Sequence, residues 1–175
     1  FRKSIQSFIG ACGKPVLYKN PHAALRVQPI VKYMPESLFI IMTRDEVDNA
    51  HSLLEVRQKV YKDYQRWWSM EPPSIDELEK LPPQEQVIEQ IRHIRSTIEK
   101  DLKISGVNPS ACFSLSYENL CDSPEKEMNR LEKFFCNNGC DVSRRSEPPK
   151  PFSRRKEIRI DNSLYTKVRD YAKKP

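Results

Sequence analysis

The chain has 175 residues, with 30 Lys and Arg against 24 Asp and Glu and a formal net charge of +6. A chain of this length fits one domain that buries about 70% of its extended-chain surface, so it needs no disulfide framework to hold it together. The charge favours anionic ligands without naming one, and no apolar run approaches the ~20 residues of a membrane span.

Ile5, Phe8 and Ile9 recur at helical spacing from Phe1 to Cys12, and Gly13 with Pro15 ends the pattern. Pro15 to Lys19 reads as a strand. Pro21 opens a helix through Tyr33, with Leu25, Ile30 and Tyr33 inward and Pro29 near a kink. Leu38 to Met42 is a continuous apolar run of strand length. The stretch after it switches to helical spacing, with Val47, Ala50 and Leu54 on one face. That helix is predicted from about Asp45 to Trp68, with Pro72-Pro73 barring further extension. Tyr61, Tyr64, Trp67 and Trp68 gather at its end, either as a packing anchor or as the wall or lid of an acceptor pocket.

Ser74 and Glu77 stand at capping-box spacing before a short helix closed by Leu81-Pro82-Pro83. From Gln84 to Ile104, the positions Val87, Ile91, Ile94, Ile98 and Leu102 form the clearest amphipathic stripe in the chain. Gly106 and Pro109 break it before a strand over Ala111 to Tyr117, in which Cys112 or Phe113 and Leu115 alternate. Ser123-Pro124 opens a helix to about Cys136, stopped by Asn138-Gly139. Residues 142–159 are rich in Pro, Ser and Arg and read as an irregular basic segment. Ile160 to Ala172 completes the chain as a helix with Leu164, Val168 and Tyr171 inward. Strands alternating with helices predict an α/β fold with a mostly parallel sheet flanked by helices, in a single domain over 1–175.

At the carboxyl end of a buried strand, ligands sit in the crevice above the sheet, and the first helical amides favour an anion. Arg44 lies at that junction. Ser52 follows a little over two turns later, so a guanidinium fork and a hydroxyl donor on one helix flank can grip a phosphate. The bland alternatives are a helix-capping arginine and an ordinary packed serine.

The strand ending in Arg44, the step to Ser52 and the following Leu53-Leu54 resemble the 3′-phosphate-binding motif of sulfotransferases that use 3′-phosphoadenosine 5′-phosphosulfate. Two further stretches agree in order. Tyr18-Lys19-Asn20-Pro21-His22 resembles the Lys-x-Pro segment of bacterial and Golgi-type members. Ser116-Tyr117-Glu118-Asn119-Leu120 resembles the Tyr-Glu-Asp/Asn-Leu segment, with Leu131, Phe134 and Phe135 on the helix beyond it. The resemblance covers roughly Val16 to Phe135. It implies a P-loop-kinase-like architecture, the phosphosulfate as co-substrate, no metal, and a small-molecule or glycan hydroxyl or amine as acceptor. It further implies that Arg44 and Ser52 bind the 3′-phosphate, Tyr117 borders the adenine and Lys19 stabilises the transferring charge. His22 has the one side-chain type that titrates near neutrality and is the candidate base, although cytosolic members carry their histidine where this chain has Pro21.

The basic residues Arg144, Arg145, Arg154, Arg155, Lys156 and Arg159 fall where the family folds a basic loop over the nucleotide. Arg154 and Arg155 are the candidates there, against a solvated, partly mobile charge run. Phe152 is the only nearby ring, so nucleic acid is not expected as a partner. The five cysteines, Cys12, Cys112, Cys121, Cys136 and Cys140, are odd in number and scattered, which reads as mostly reduced thiols and no zinc site.

The family's amino-terminal donor loop has no counterpart here. Gly10-Ala11-Cys12-Gly13-Lys14 has the wrong spacing for a phosphate-binding loop, and Pro15 stands where Ser or Thr is required. The chain is therefore read as a carboxyl-terminal portion, with the loop expected upstream. Two other classes stay open: a noncatalytic nucleotide- or protein-binding module derived from the fold, and an ATP-dependent phosphotransferase. The resemblance implies a bacterial cytoplasmic protein, or one of the Golgi lumen where an upstream anchor is present.

Overall fold

A computed structural model describes residues 2–154 and 157–175. The described chain is a mixed α/β structure in which a two-stranded parallel sheet lies among helices. It divides into two compact units: residues 1–42 with 101–152, and residues 43–100 with 153–175.

In the first unit, α1 (Arg2–Cys12) has no buried residue, and Gly13 ends it with φ +61°. The segment 15–20 is not a strand. Leu17 is 74% exposed and Tyr18 57%, and the bracketing Pro15 and Pro21 lack the N–H groups a ladder requires. The predicted Pro21–Tyr33 helix is broken into a 3₁₀ turn, Pro21–Leu25, and α2 (Val27–Tyr33). Arg26 interrupts it at φ −135°, so Pro29 falls in the first turn of α2, where a missing N–H costs no intrahelical bond. Val27 is the buried residue of α2, and Tyr33, predicted inward, is exposed.

The paired strands are β1 (Phe39–Thr43) and β2 (Cys112–Ser116). In β2 the alternation resolves to Phe113 and Leu115 inward, and they form the core with Phe134. Leu38, Ile40, Leu131 and Phe135 pack against that core, and the Phe113 and Phe134 rings lie 5.3 Å apart. β1 is half-buried rather than buried, with Met42 54% exposed. A short helix that the sequence reading missed, α6 (Tyr117–Asp122), follows β2, and Ser116 caps it by accepting from the Asn119 N–H at 3.2 Å. α7 (Pro124–Asn137) then carries Phe134. All five cysteines are free and all fall in this unit; Cys121 is buried, and Cys12 and Cys136 are exposed.

The second unit is helical. α3 (Glu46–Tyr61) packs Ala50 and Leu54 into a core with Val87, Ile88 and Ile91 of α5 (Pro83–Ile104), Ile160, and Val168 of α8 (Asn162–Ala172). Burying each Val, Leu or Ile of this core contributes about 1.5–3 kcal/mol. α3 stops at Tyr61, short of the predicted Trp68, because Lys62 turns left-handed at φ 58° and its N–H closes on the Gln58 carbonyl. Tyr64, Trp67 and Trp68 therefore lie beyond the helix. The predicted capping box before α4 (Ile75–Leu78) is not formed. The Ser74 hydroxyl instead meets His93 Nδ1 at 2.6 Å. Among the described residues, no helix or strand lies between α7 and α8.

Candidate functional site

β1 hands the chain through Arg44 to Asp45, whose φ of −48° and ψ of 134° place it outside the helix as its cap. The Asp45 carboxylate accepts from the Asp48 N–H at 2.9 Å, and Glu46 and Asp48 add acidic charge in the first turn. Arg92 takes both Glu46 oxygens at 3.1 and 3.2 Å. The start of α3 is thus already supplied with carboxylates, one of them paired with Arg92. Arg44 and Ser52 are both half-buried here, and Ser52 sits between the buried positions Ala50 and Leu54.

His51 precedes Ser52. Its Nε2 accepts the Arg159 backbone N–H at 3.0 Å, and its ring meets Tyr165 edge-on at 5.6 Å. Burial pushes the His51 imidazole below its ordinary range, with Arg44 and Arg159 acting in the same direction and Glu55 and Asp48 opposing them. The charge of Arg44 is therefore felt at the residue adjoining Ser52. Arg154 is half-buried in the same unit, and Arg155 lies outside the described residues.

The remaining predicted site residues belong to the first unit. Lys19 is exposed in the irregular stretch 15–20. His22 is exposed on the 3₁₀ turn, with its backbone N–H donating to Asn20 Oδ1 at 3.0 Å. Tyr117 is half-buried at the first position of α6, beside Ser116, which donates to Glu118 Oε2 at 2.8 Å. A cleft of about 530 Å³ in this unit is lined by Gln28, Lys32, Tyr33 and Ile104 and holds none of the predicted residues.

The basic run is not simply a solvated charge strip. Arg144 pairs with Glu132 at 2.8 Å and with Asn129, while Arg159 bridges Glu157 and Glu55 at 3.0 and 3.3 Å. Those two guanidiniums are committed to carboxylates.

Sequence reasoning also missed a buried polar cluster. Arg57 is fully buried and donates to the Tyr64 carbonyl at 3.1 Å, to Gln90 Oε1 at 3.2 Å and to Gln86 Oε1. Its guanidinium lies 5.4 Å from the Trp67 ring centroid. Gln90 in turn donates to the Trp68 and Met70 carbonyls at 2.9 and 3.0 Å, and Gln86 to the Glu79 carbonyl at 3.3 Å. The signal was present: Arg57 continues the Ala50–Leu54 stripe at a position the helix turns inward. Among the described residues, no cluster of His, Cys, Asp and Glu is fit to hold a metal, and no helix is long and apolar enough to cross a membrane.

A two-stranded sheet whose first strand runs through a basic residue into a carboxylate-capped helix makes this a mixed α/β protein. The chain belongs to the sulfotransferase family, whose model matches residues 2–137. It is similar to the omega-hydroxy-beta-dihydromenaquinone-9 sulfotransferase Stf3 of Mycobacterium bovis (strain ATCC BAA-935 / AF2122/97), with 23% identity over 118 residues, 67% of this chain and 28% of that protein. The same enzyme of Mycobacterium tuberculosis (strain CDC 1551 / Oshkosh) matches with the same figures. The chain thus spans little more than a quarter of the length of these relatives. No solved structure matches it.

Proposed function

We propose that the protein transfers a sulfuryl group from 3′-phosphoadenosine 5′-phosphosulfate to an acceptor hydroxyl or amine, on a P-loop-kinase-like fold of which residues 1–175 form one domain. Family membership over residues 2–137 implies the donor, and the Arg44–Ser52 stretch carries the assignment of a site to this chain. Arg44 supplies a delocalised charge with paired donors suited to phosphate, and Ser52 supplies a hydroxyl one residue from where that charge is felt. Asp45 already accepts the Asp48 N–H at the start of α3, and in this reading Arg44 and Ser52 hold the 3′-phosphate.

In the transfer, the acceptor oxygen or nitrogen bonds to sulfur while the bond from sulfur to the 5′-phosphate oxygen breaks, and the acceptor proton leaves to a base. In this reading Lys19 offsets charge developing on the transferring group, His22 takes the proton, Tyr117 borders the adenine, and Arg154 and Arg155 add charge to the nucleotide. The acceptor is a small molecule or a glycan. No metal enters the scheme.

Calorimetric titration of the full-length protein with 3′-phosphoadenosine 5′-phosphate, 5′-AMP and ADP tests it. Preference for the 3′-phosphorylated ligand, lost in Arg44→Ala and in Ser52→Ala, is the expected result. Equal binding of all three, or of none, would overturn the assignment.

A further inference from the structure

We propose that His51 is a positioning residue for the nucleotide site, its Nε2 seating the Arg159 backbone on α3 next to Ser52. This rests on the donor-binding reading given above.

Three consecutive residues, Arg159 to Asp161, are held just ahead of α8. The Arg159 N–H donates to His51 Nε2 at 3.0 Å, and the Arg159 guanidinium bridges Glu55 and Glu157. Ile160 is buried in the core with Ala50 and Leu54. Asp161 caps α8 by accepting the Ser163 and Leu164 N–H groups at 2.8 and 3.1 Å, and its own N–H donates to the Tyr64 hydroxyl at 3.4 Å. Of these contacts, the one from His51 adjoins Ser52. A purely packing role at this position needs only an apolar ring or chain against Tyr165. An imidazole adds one acceptor, and the structure uses it.

The bond requires a neutral ring with its proton on Nδ1, since a protonated imidazole only donates. The groups facing the ring are Arg44, Asp48 and Glu55 on the α3 side, and Arg159 and Tyr165 on the other. Burial outweighs the two carboxylates, so the acceptor state persists at neutral and higher pH. α3 therefore bears one of the proposed phosphate donors, Ser52, and beside it the anchor of the Arg159 backbone.

The test is made at about pH 8, well above the ordinary histidine range, so that protonation plays no part. His51→Phe keeps a ring against Tyr165 and removes the acceptor, His51→Gln restores a neutral acceptor, and His51→Leu is a second acceptor-free variant should the phenylalanine form not fold. Two quantities are read: hydrogen-exchange protection of the Arg159 amide, and affinity for 3′-phosphoadenosine 5′-phosphate. Loss of one neutral hydrogen bond predicts that both fall about five-fold in the acceptor-free variants and recover in His51→Gln. Unchanged protection in an acceptor-free variant overturns the proposal, as does lost protection with wild-type affinity. In either case a wild-type preference for the 3′-phosphate leaves the donor-binding reading standing. If the wild type shows no such preference, both fall together, and the result is visible before any substitution is made.

Discussion

Replacing Arg57 by alanine is expected to destabilise the protein by roughly 3 kcal/mol, the balance of two opposing terms. Burial lowers the guanidinium from its ordinary range to about 10. At about 1.36 kcal/mol per pH unit, the buried charge costs roughly 3 kcal/mol at neutral pH, which its removal would return. Against this stand three acceptors that lose their donor: the Tyr64 carbonyl and the Gln86 and Gln90 side-chain oxygens. Left unpaired, the two buried glutamine oxygens and the part-buried Tyr64 carbonyl cost about 1–3 kcal/mol each, or roughly 6 kcal/mol together. The glutamines cannot compensate by turning over, because their amide nitrogens already serve the Glu79, Trp68 and Met70 carbonyls. Buried ions replaced by apolar residues are often neutral when their partners go too; here the partners stay. Arg57→Met should therefore fill space and still lose stability, whereas Arg57→Lys, with three donors, should lose least. Urea unfolding followed by tryptophan fluorescence is the assay, since Trp67 and Trp68 are the only tryptophans and Trp67 lies under the guanidinium. An Arg57→Met protein as stable as the wild type would refute the reasoning.

Two helix starts should respond differently to truncation. Asp45→Ala, which removes a formed cap, should cost about 1 kcal/mol, and Ser74→Ala, whose hydroxyl caps nothing, less than half as much. Ser74→Ala should instead shift the His93 ring resonances in nuclear magnetic resonance spectra, because it removes the contact at 2.6 Å. For His51 the folded chain binds its proton less readily than the unfolded chain, mainly through burial. Its stabilising contribution is therefore complete above about pH 6.5 and is lost as pH falls through the lower folded value. Urea midpoints at about pH 7.5 and about pH 5.5 should differ less in His51→Gln than in the wild type.

Apolar spacing in the sequence located α5, α7, β1 and β2, although the apolar run of β1 is half-buried rather than buried. It failed where pairing or a local turn decides. Pro15 to Lys19 has strand composition, yet flanking prolines deny it a ladder. Tyr61 to Trp68 continues a helical pattern, yet Lys62 leaves the helix for a left-handed turn. Arg44 and Ser52 were legible as a spaced pair at a strand-helix junction. The neighbours that surround them, His51 with Arg159 and Glu46 with Arg92, join residues 108 and 46 positions apart, a relation no local pattern carries. The Arg57 cluster was hidden for the opposite reason: a charged residue on an apolar stripe reads as an interruption until its acceptors are seen.

The thiols and the indoles are distributed unequally. All five cysteines lie in the unit of residues 1–42 and 101–152, and both tryptophans lie in the other. Each unit thus carries its own intrinsic probe. During denaturation, pulsed alkylation of buried Cys121 reports the opening of one unit while indole emission reports the opening of the other, with no probe residue introduced by mutation. Coincident curves would mean that the chain unfolds as one cooperative body, and separated curves that each unit has a stability of its own.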